Sequence, residues 1–273
     1  MKPGWYPRML FLCVLALAGL HSTGRAQFFK VYEHATADAG AVEFTYWTTW
    51  MASSEENLTF FGKDLSRENL WAHSFEVEYG LSHALTVGIY GDFLHPSDGD
   101  FEFIQSKLVV RYQLFGKNEL PVDLALYGEY IIPHPDYKDS EKFEARIVIE
   151  KDLGPLRLVL NPILEKATSG EDVAEGLEFA YAAGIFWDNA GAGIFDAGWF
   201  HVRAGLEFYG SLGELADFEE FDHQKHYVFP VIDLYAPHWA DWALHWSVGV
   251  GFGLGGLADD IVIKSILSLE FIS

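Results

Sequence analysis

The chain has a single cysteine, Cys13, in 273 residues, which excludes a disulfide-built scaffold. Basic residues are scarce: Lys and Arg number 18 against 40 Asp and Glu, a formal net charge of −22. That excess repels a phosphate backbone, so nucleic acid is not expected as a partner. Beyond residue 26 no apolar run approaches the roughly 20 residues of a transmembrane helix. A Gly-x-Ser-x-Gly elbow, a glycine-rich phosphate loop and a His-Glu-x-x-His pair are all missing. No catalytic residue, enzyme activity or cofactor is therefore expected. What is plentiful is aromatic side chains, at 16%, and glycine, at 26 residues. So many aromatics exclude an acidic disordered tail, although the mean hydropathy is only +0.07.

The first 26 residues read as an address. Lys2 and Arg8 precede the apolar run Leu10–Leu20, and Gly24-Arg25-Ala26 follows with small residues where a signal peptidase wants them. Residues 1–26 are predicted to be a signal peptide cleaved after Ala26, taking Cys13 with it. Loss of Lys2, Arg8 and Arg25 leaves 15 bases against 40 acids, a net charge of −25. Residues 27–40 are then expected to be an N-terminal periplasmic segment or a plug, and residues 41–273 a single β-domain.

Alternation of period two runs through that domain, as in Phe75-Glu76-Val77-Glu78-Tyr79 and Leu156-Arg157-Leu158-Val159-Leu160. It predicts about twelve strands near residues 41–50, 71–80, 84–94, 103–115, 121–132, 142–150, 155–165, 176–187, 199–210, 226–235, 241–252 and 261–271. One phase is apolar: Phe44 and Tyr46, Val77 and Tyr79, Leu124 and Leu126, Leu267 and Leu269. The other carries charge. Its acids include Glu76, Glu78, Asp92, Asp123, Glu129, Glu144, Glu178 and Glu207. Its bases include Lys107, Arg111, Arg146, Arg157 and Arg203. These are the candidate lumen-lining residues. Glu43, Glu150, Glu165, Asp233, Glu270 and Lys264 share their phase. A soluble barrel binding an apolar ligand would alternate too, so alternation alone leaves both readings open.

Three features favour a transmembrane antiparallel up-and-down β-barrel in the outer membrane of a Gram-negative bacterium. Trp47, Trp50, Trp71, Trp187, Trp199, Trp239 and Trp242 lie near strand ends, where an aromatic girdle meets the lipid interface. Long connections such as 51–70 and 210–225 alternate with short ones such as Gly80-Leu81-Ser82-His83, the asymmetry of outer loops and periplasmic turns. The last strand ends on Phe271, as a strand read by barrel-assembly machinery would. Leu126→Arg is expected to block assembly, and Tyr127→Arg to be tolerated far better.

The stretch Phe75-Glu76-Val77-Glu78-Tyr79-Gly80-Leu81-Ser82, running into Leu85-Thr86-Val87-Gly88-Ile89-Tyr90, resembles a hairpin of the outer-membrane barrels labelled for the MetA pathway of phenol degradation. The resemblance extends to the layout of residues 41–271, with Ser82-His83-Ala84 where members often carry Thr-Asp-Arg. It implies a pore or transport role and supplies no catalytic residue.

The inward charges are expected to pair across strands, Arg111, Arg146 and Arg157 with Glu129, Glu144 and Glu165, and to stiffen the wall or form a constriction favouring cations. His223-x-x-His226 beside Glu220 and Asp222, with His238 and His245 around the next strand, has no dedicated metal spacing and reads as solvated loop. The expected partners are outer-membrane lipid and lipopolysaccharide, the assembly machinery and a small solute. The expected role is a porin-like channel, with a non-conducting receptor or structural barrel working through acidic loops as the alternative.

Overall fold

The computed structural model describes residues 29–60, 63–137, 140–187, 195–196, 200–239 and 242–271. The predicted signal peptide and Trp199 lie outside them.

Twelve strands follow one another in an antiparallel meander: β1 (Val42–Ser53), β2 (Leu70–Ser82), β3 (Leu85–His95), β4 (Glu102–Gln113), β5 (Asp123–Pro133), β6 (Lys142–Leu153), β7 (Leu156–Ala167), β8 (Glu178–Trp187), β9 (His201–Glu214), β10 (Lys225–Trp239), β11 (Trp242–Gly256) and β12 (Ile261–Phe271). Each pairs with the next, and β12 returns to β1 with Phe271 opposite Val42 and Lys264 opposite Thr49. Closure leaves the sheet no free edge, so its backbone groups bond within the wall. The strands match the predicted segments closely. β10 and β11 run further than expected, and the first long connection contains a small hairpin, Asn57–Phe60 with Lys63–Ser66.

Pleat parity sorts the side chains. Phe44, Phe75, Ile89, Leu108, Leu126, Ile147, Leu160, Ile185, Leu206 and Ile232 point outward and are exposed. Their strand neighbours turn inward, and buried polar ones such as Ser74, Glu76, Lys107, Asn161, Glu207 and Asp233 alternate with apolar ones such as Val109, Val148 and Phe186. This inverts the usual globular arrangement and suits a wall with lipid outside. Trp50 and Trp71 stack on the outer face, 5.2 Å apart, and Trp187 is exposed near the opposite rim. Trp242 is partly buried there, opposite Phe271, and Trp239 pairs with Trp242 in register. Trp47 corrects the girdle prediction, because it is only 4% exposed and faces the interior. It lies an odd number of residues from Phe44 and Tyr46, so parity turns it away from them.

The mouth where β1 begins is called the near mouth, and that where β1 ends the far mouth. Residues 29–40 lie within the barrel, and this places the N-terminal segment at the plug position rather than outside the wall. Phe29 packs against Tyr209, Tyr227 and Phe229 in the far half. The chain descends past Tyr32 to a turn at Asp38–Ala41, closed by Ala41 N to Asp38 O at 2.9 Å, with Gly40 at φ 85°. A side chain is disfavoured at that angle, and glycine is not. Gly80 of β2 receives the turn: its carbonyl accepts from Gly40 N at 2.8 Å, and a Cβ there would meet Asp38 O at 1.9 Å.

The far mouth is packed along one side. Met51, Leu70, Ala72, Leu94, Ile104 and Tyr137 form an apolar cluster inside the rim of β1 to β5. Beside it Arg67, on the β1–β2 connection, grips Asp259, on the β11–β12 connection, with Nε to Oδ1 at 2.6 Å and Nη2 to Oδ2 at 2.5 Å.

Candidate functional site: the plugged lumen

The plug packs Phe29, Val31 and Tyr32 against apolar wall residues and is tied by polar contacts to the charged phase of the strands. Asn161 clasps its backbone at both ends of one peptide unit pair, accepting from Tyr32 N at 2.8 Å and donating to Tyr32 O at 3.0 Å. Lys264 donates to Phe29 O at 3.0 Å and to Glu207. Arg111 Nη2 donates to Ala35 O at 2.5 Å and to Glu33 O at 3.3 Å. His34 N donates to Glu150 Oε2 at 2.7 Å. Charge-assisted bonds of this kind are the stronger class.

Tyr32 lies at the centre. Its ring is 4.4 Å from that of Tyr127, and Lys30, Arg111 and Arg146 stand 4.7, 5.2 and 5.0 Å from its centroid. Lys30 also sits over Trp47 at 4.6 Å, which explains an inward tryptophan. Glu33 accepts from Arg157 at 2.7 Å and Arg203 at 2.6 Å.

The predicted lumen residues fall into recognisable groups. Lys107 bridges Asp92 at 3.1 Å and Glu129 at 3.4 Å. Glu78 meets Arg111 at 3.4 Å and takes the hydroxyl of Tyr90. Glu144 takes Arg146 Nε at 2.5 Å. Glu76 is 3.8 Å from Lys30, and Glu207 takes Lys264. Asp123 and Glu178 sit at the two rims instead. Asp123 accepts from Asn118 N at 2.6 Å at the near mouth, and Glu178 pairs in register with Glu165 and Glu214 at the far one. Lys117 closes one side of the near mouth, bonding Glu150 with Asp123 at 3.0 Å and Asp152 at 3.1 Å. Burial alone would lower its pKa, but bonds to Glu150 and Asp123 outweigh this and raise it.

Of the expected partners, Arg146 meets Glu144, but along the same strand, β6, and not across strands. Arg111 turns to Glu78 and Arg157 to Glu33 and Asp152. The reason is the plug, whose Glu33 carboxylate and free carbonyls compete for the guanidinium groups. Sequence reasoning missed Lys30, Tyr32, Glu33 and Asn161. A signal was there: Phe29-Lys30-Val31-Tyr32-Glu33-His34 is too rich in aromatic and charged residues for a linker.

Among the described residues, two adjoining cavities lie beside the plug, on the β8 to β12 and β1 side. The inner, about 210 Å³, is lined by Lys30, Glu33, Arg111, Phe186, Arg203, Glu207 and Asp233 among others. The outer, about 240 Å³, lies toward the near mouth and is lined by Glu43, His201, Tyr235, Ala243, Leu244, His245, Ser268 and Glu270. They share Glu43, Tyr235, His245 and Ser268. His201, Tyr235 and His245, on neighbouring strands, stack in a row with ring centroids 4.9 and 4.3 Å apart. His226, expected in a solvated loop, stacks on Phe221 at 5.2 Å and meets Tyr181 Oη at 3.1 Å.

The barrel closure and this layout can be set beside solved structures. An outer membrane channel from Pseudomonas putida F1 superposes with a TM-score of 0.55 at 12% identity, over 89% of this chain and 98% of that one. The two chains share the fold of an outer-membrane β-barrel. LpxR from Salmonella typhimurium matches with a TM-score of 0.44 at 8% identity, over 85% of this chain and 100% of that one. Pseudomonas aeruginosa OprD matches with a TM-score of 0.39 at 10% identity, over 91% and 72%. No protein-family model and no curated protein matches the chain.

Proposed function

We propose that this protein is a porin-like channel for small solutes in the outer membrane of a Gram-negative bacterium, with cations favoured over anions. The observation that carries the reading is the pair of adjoining cavities beside the plug. Their walls hold Glu33, Glu43, Glu207, Asp233 and Glu270 against Lys30, Arg111 and Arg203. Acidic linings favour cations. The exposed apolar band, with Trp50, Trp71, Trp187 and Trp242 near its margins, supports a lipid setting that includes lipopolysaccharide. The exposed Phe271 on the closing strand supports engagement of the barrel-assembly machinery. The finer likeness to the barrels labelled for the MetA pathway of phenol degradation rests on the β2–β3 hairpin and belongs to the same reading.

A closed barrel working through its loops is the second reading. The apolar cluster and the Arg67–Asp259 pair at the far mouth favour it. Planar-bilayer recording separates the two. A channel gives steps of conductance whose reversal potential in a KCl gradient follows potassium. A silent bilayer from correctly folded protein, or a potential that follows chloride, overturns the channel proposal.

A further inference from the structure

Two connections turn inward at the far mouth and meet there. Arg67, at the end of the β1–β2 connection, is 1% exposed, and Asp259, on the β11–β12 connection, is fully buried. Their ion pair therefore joins two connections rather than two strands. Asp259 also accepts the hydroxyl of Tyr227 of β10 at 2.9 Å, and its own N–H donates to that oxygen at 3.0 Å. The neighbouring Ala258 packs against the aromatic cluster inside the barrel. The Tyr227 ring stands edge-on to Phe29 of the plug at 5.0 Å. Arg67, Asp259, Tyr227 and Phe29 thus form one line of contact from the β1–β2 connection to the plug.

Residues 65–70 carry Arg67 into this position. Leu65 packs against the apolar cluster inside the rim of β1 to β5. The segment is otherwise tied to its own connection: Arg67 N donates to Glu56 O at 3.2 Å, Leu70 N to Arg67 O at 3.2 Å, and Ser54 N to Glu68 at 2.6 Å. A buried ion pair adds little stability over an apolar pair of the same size, and its best-attested use is to fix one arrangement of two. This pair is also incompletely bonded, since Arg67 Nη1 has no hydrogen-bond partner among the described residues. Such a contact sets a position and can be broken.

We infer that Arg67 and Asp259 are the latch of a gate at the far mouth. Latched, residues 65–70 rest on the packed side of the mouth and hold Asp259 on Tyr227, which confines the plug at Phe29. Unlatched, the segment leaves the rim, Asp259 no longer fixes Tyr227, and the far end of the plug loosens. The inference rests on the channel reading and gives that channel its point of control.

The test uses the full folded barrel, with gel migration before and after heating to certify folding. Arg67→Met keeps the stem and removes the charge. Amide exchange of residues 30–33 should become about a hundredfold faster, because losing one partner leaves a buried charge without its counter-charge. In planar bilayers the variant should spend more time open than the parent protein. Arg67→Cys combined with Asp259→Cys should behave in the same way. Joining the two thiols with a short bis-methanethiosulfonate linker should restore parental exchange and open time until dithiothreitol cleaves it. If Arg67→Met does not fold, Arg67→Lys decides, because it keeps the charge and should move both readouts the same way by a smaller factor. A folded variant that melts earlier with exchange and open time unchanged reveals a merely structural pair and overturns the latch, as does linking without effect. Faster exchange with a bilayer silent for every variant removes the channel and leaves the latch on the plug. Conductance with exchange and open time unaltered keeps the channel and removes the latch.

Discussion

Glu33 of the plug accepts a hydrogen bond from Arg203 of β9 at 2.6 Å while holding Arg157 of β7 at 2.7 Å. One carboxylate thus ties the plug to two strands that do not touch each other. Both arginines keep a second carboxylate, Asp233 and Asp152, so losing Glu33 does not strand a bare charge. Glu33→Gln should cost about 2 kcal/mol, the range of a charge-assisted bond. It should lower the temperature at which the folded band shifts on a gel and speed amide exchange across residues 29–38. No change in either would mean the plug is held elsewhere.

Asp259 predicts an acid-sensitive contact at the far mouth. Burial by itself would raise its pKa, but the bonds and charge of Arg67, with bonds from Ser54 and Tyr227, hold it below the usual carboxylate range. A depressed carboxyl contributes stability above its unfolded value, about 3.9, and loses it as pH falls through the lower folded value. Amide protection of residues 65–70 should therefore hold steady from about pH 7 to about pH 4.5 and drop below that range. Asp259→Asn should weaken protection throughout and flatten the pH response.

Leu126 and Tyr127 test the two faces of the wall. Leu126 is exposed on the outer face, so Leu126→Arg should block assembly at a cost of about 2–4 kcal/mol near a bilayer midplane. The tolerance expected for Tyr127→Arg does not survive the structure. Tyr127 is 2% exposed, packs on Tyr32, and has Arg146 5.1 Å from its ring centroid. A second guanidinium there meets the first, and the stack on the plug is lost. Tyr127→Arg should therefore also misassemble, whereas Tyr127→Phe, which keeps the ring, should migrate as folded protein. Heat-modifiable migration reads all three.

Gly80 sets how closely the plug turn approaches the wall. An added methyl group would overlap Asp38 O, a backbone atom that cannot swing aside. Gly80→Ala should push residues 38–41 off β2 and break the bonds of Gly40 and Ala41 to it. The expected readout is larger or noisier conductance with the barrel still folded. A trace identical to that of the parent protein would show that the turn does not limit the path.

The parity of the strands was legible in the sequence. Phe75, Val77 and Tyr79 share one face and Glu76 and Glu78 the other because side chains in a pleated strand alternate, and no tertiary contact is needed to fix that. The same rule, applied strictly, would have placed Trp47 inside, although its position near a strand end suggested a girdle. Strand number followed from turn residues between alternating runs, and the direction each charged side chain faces followed from phase.

Partner choice was not legible, because it depends on distances across the lumen. Arg111 has inward acids on several strands within its reach in principle, and only the closed wall and the plug select Glu78 and the carbonyls of Glu33 and Ala35. Glu43 looks like any other inward acid until the register sets it between Glu78 and Glu270. Residues 29–40 have no strand period, so local pattern could not say where they lie. Their place inside the barrel was decided by tertiary structure alone: a closed ring of buried, charged side chains needs counter-charges and hydrogen-bond partners, and the plug brings Lys30, Glu33 and its own backbone to supply them.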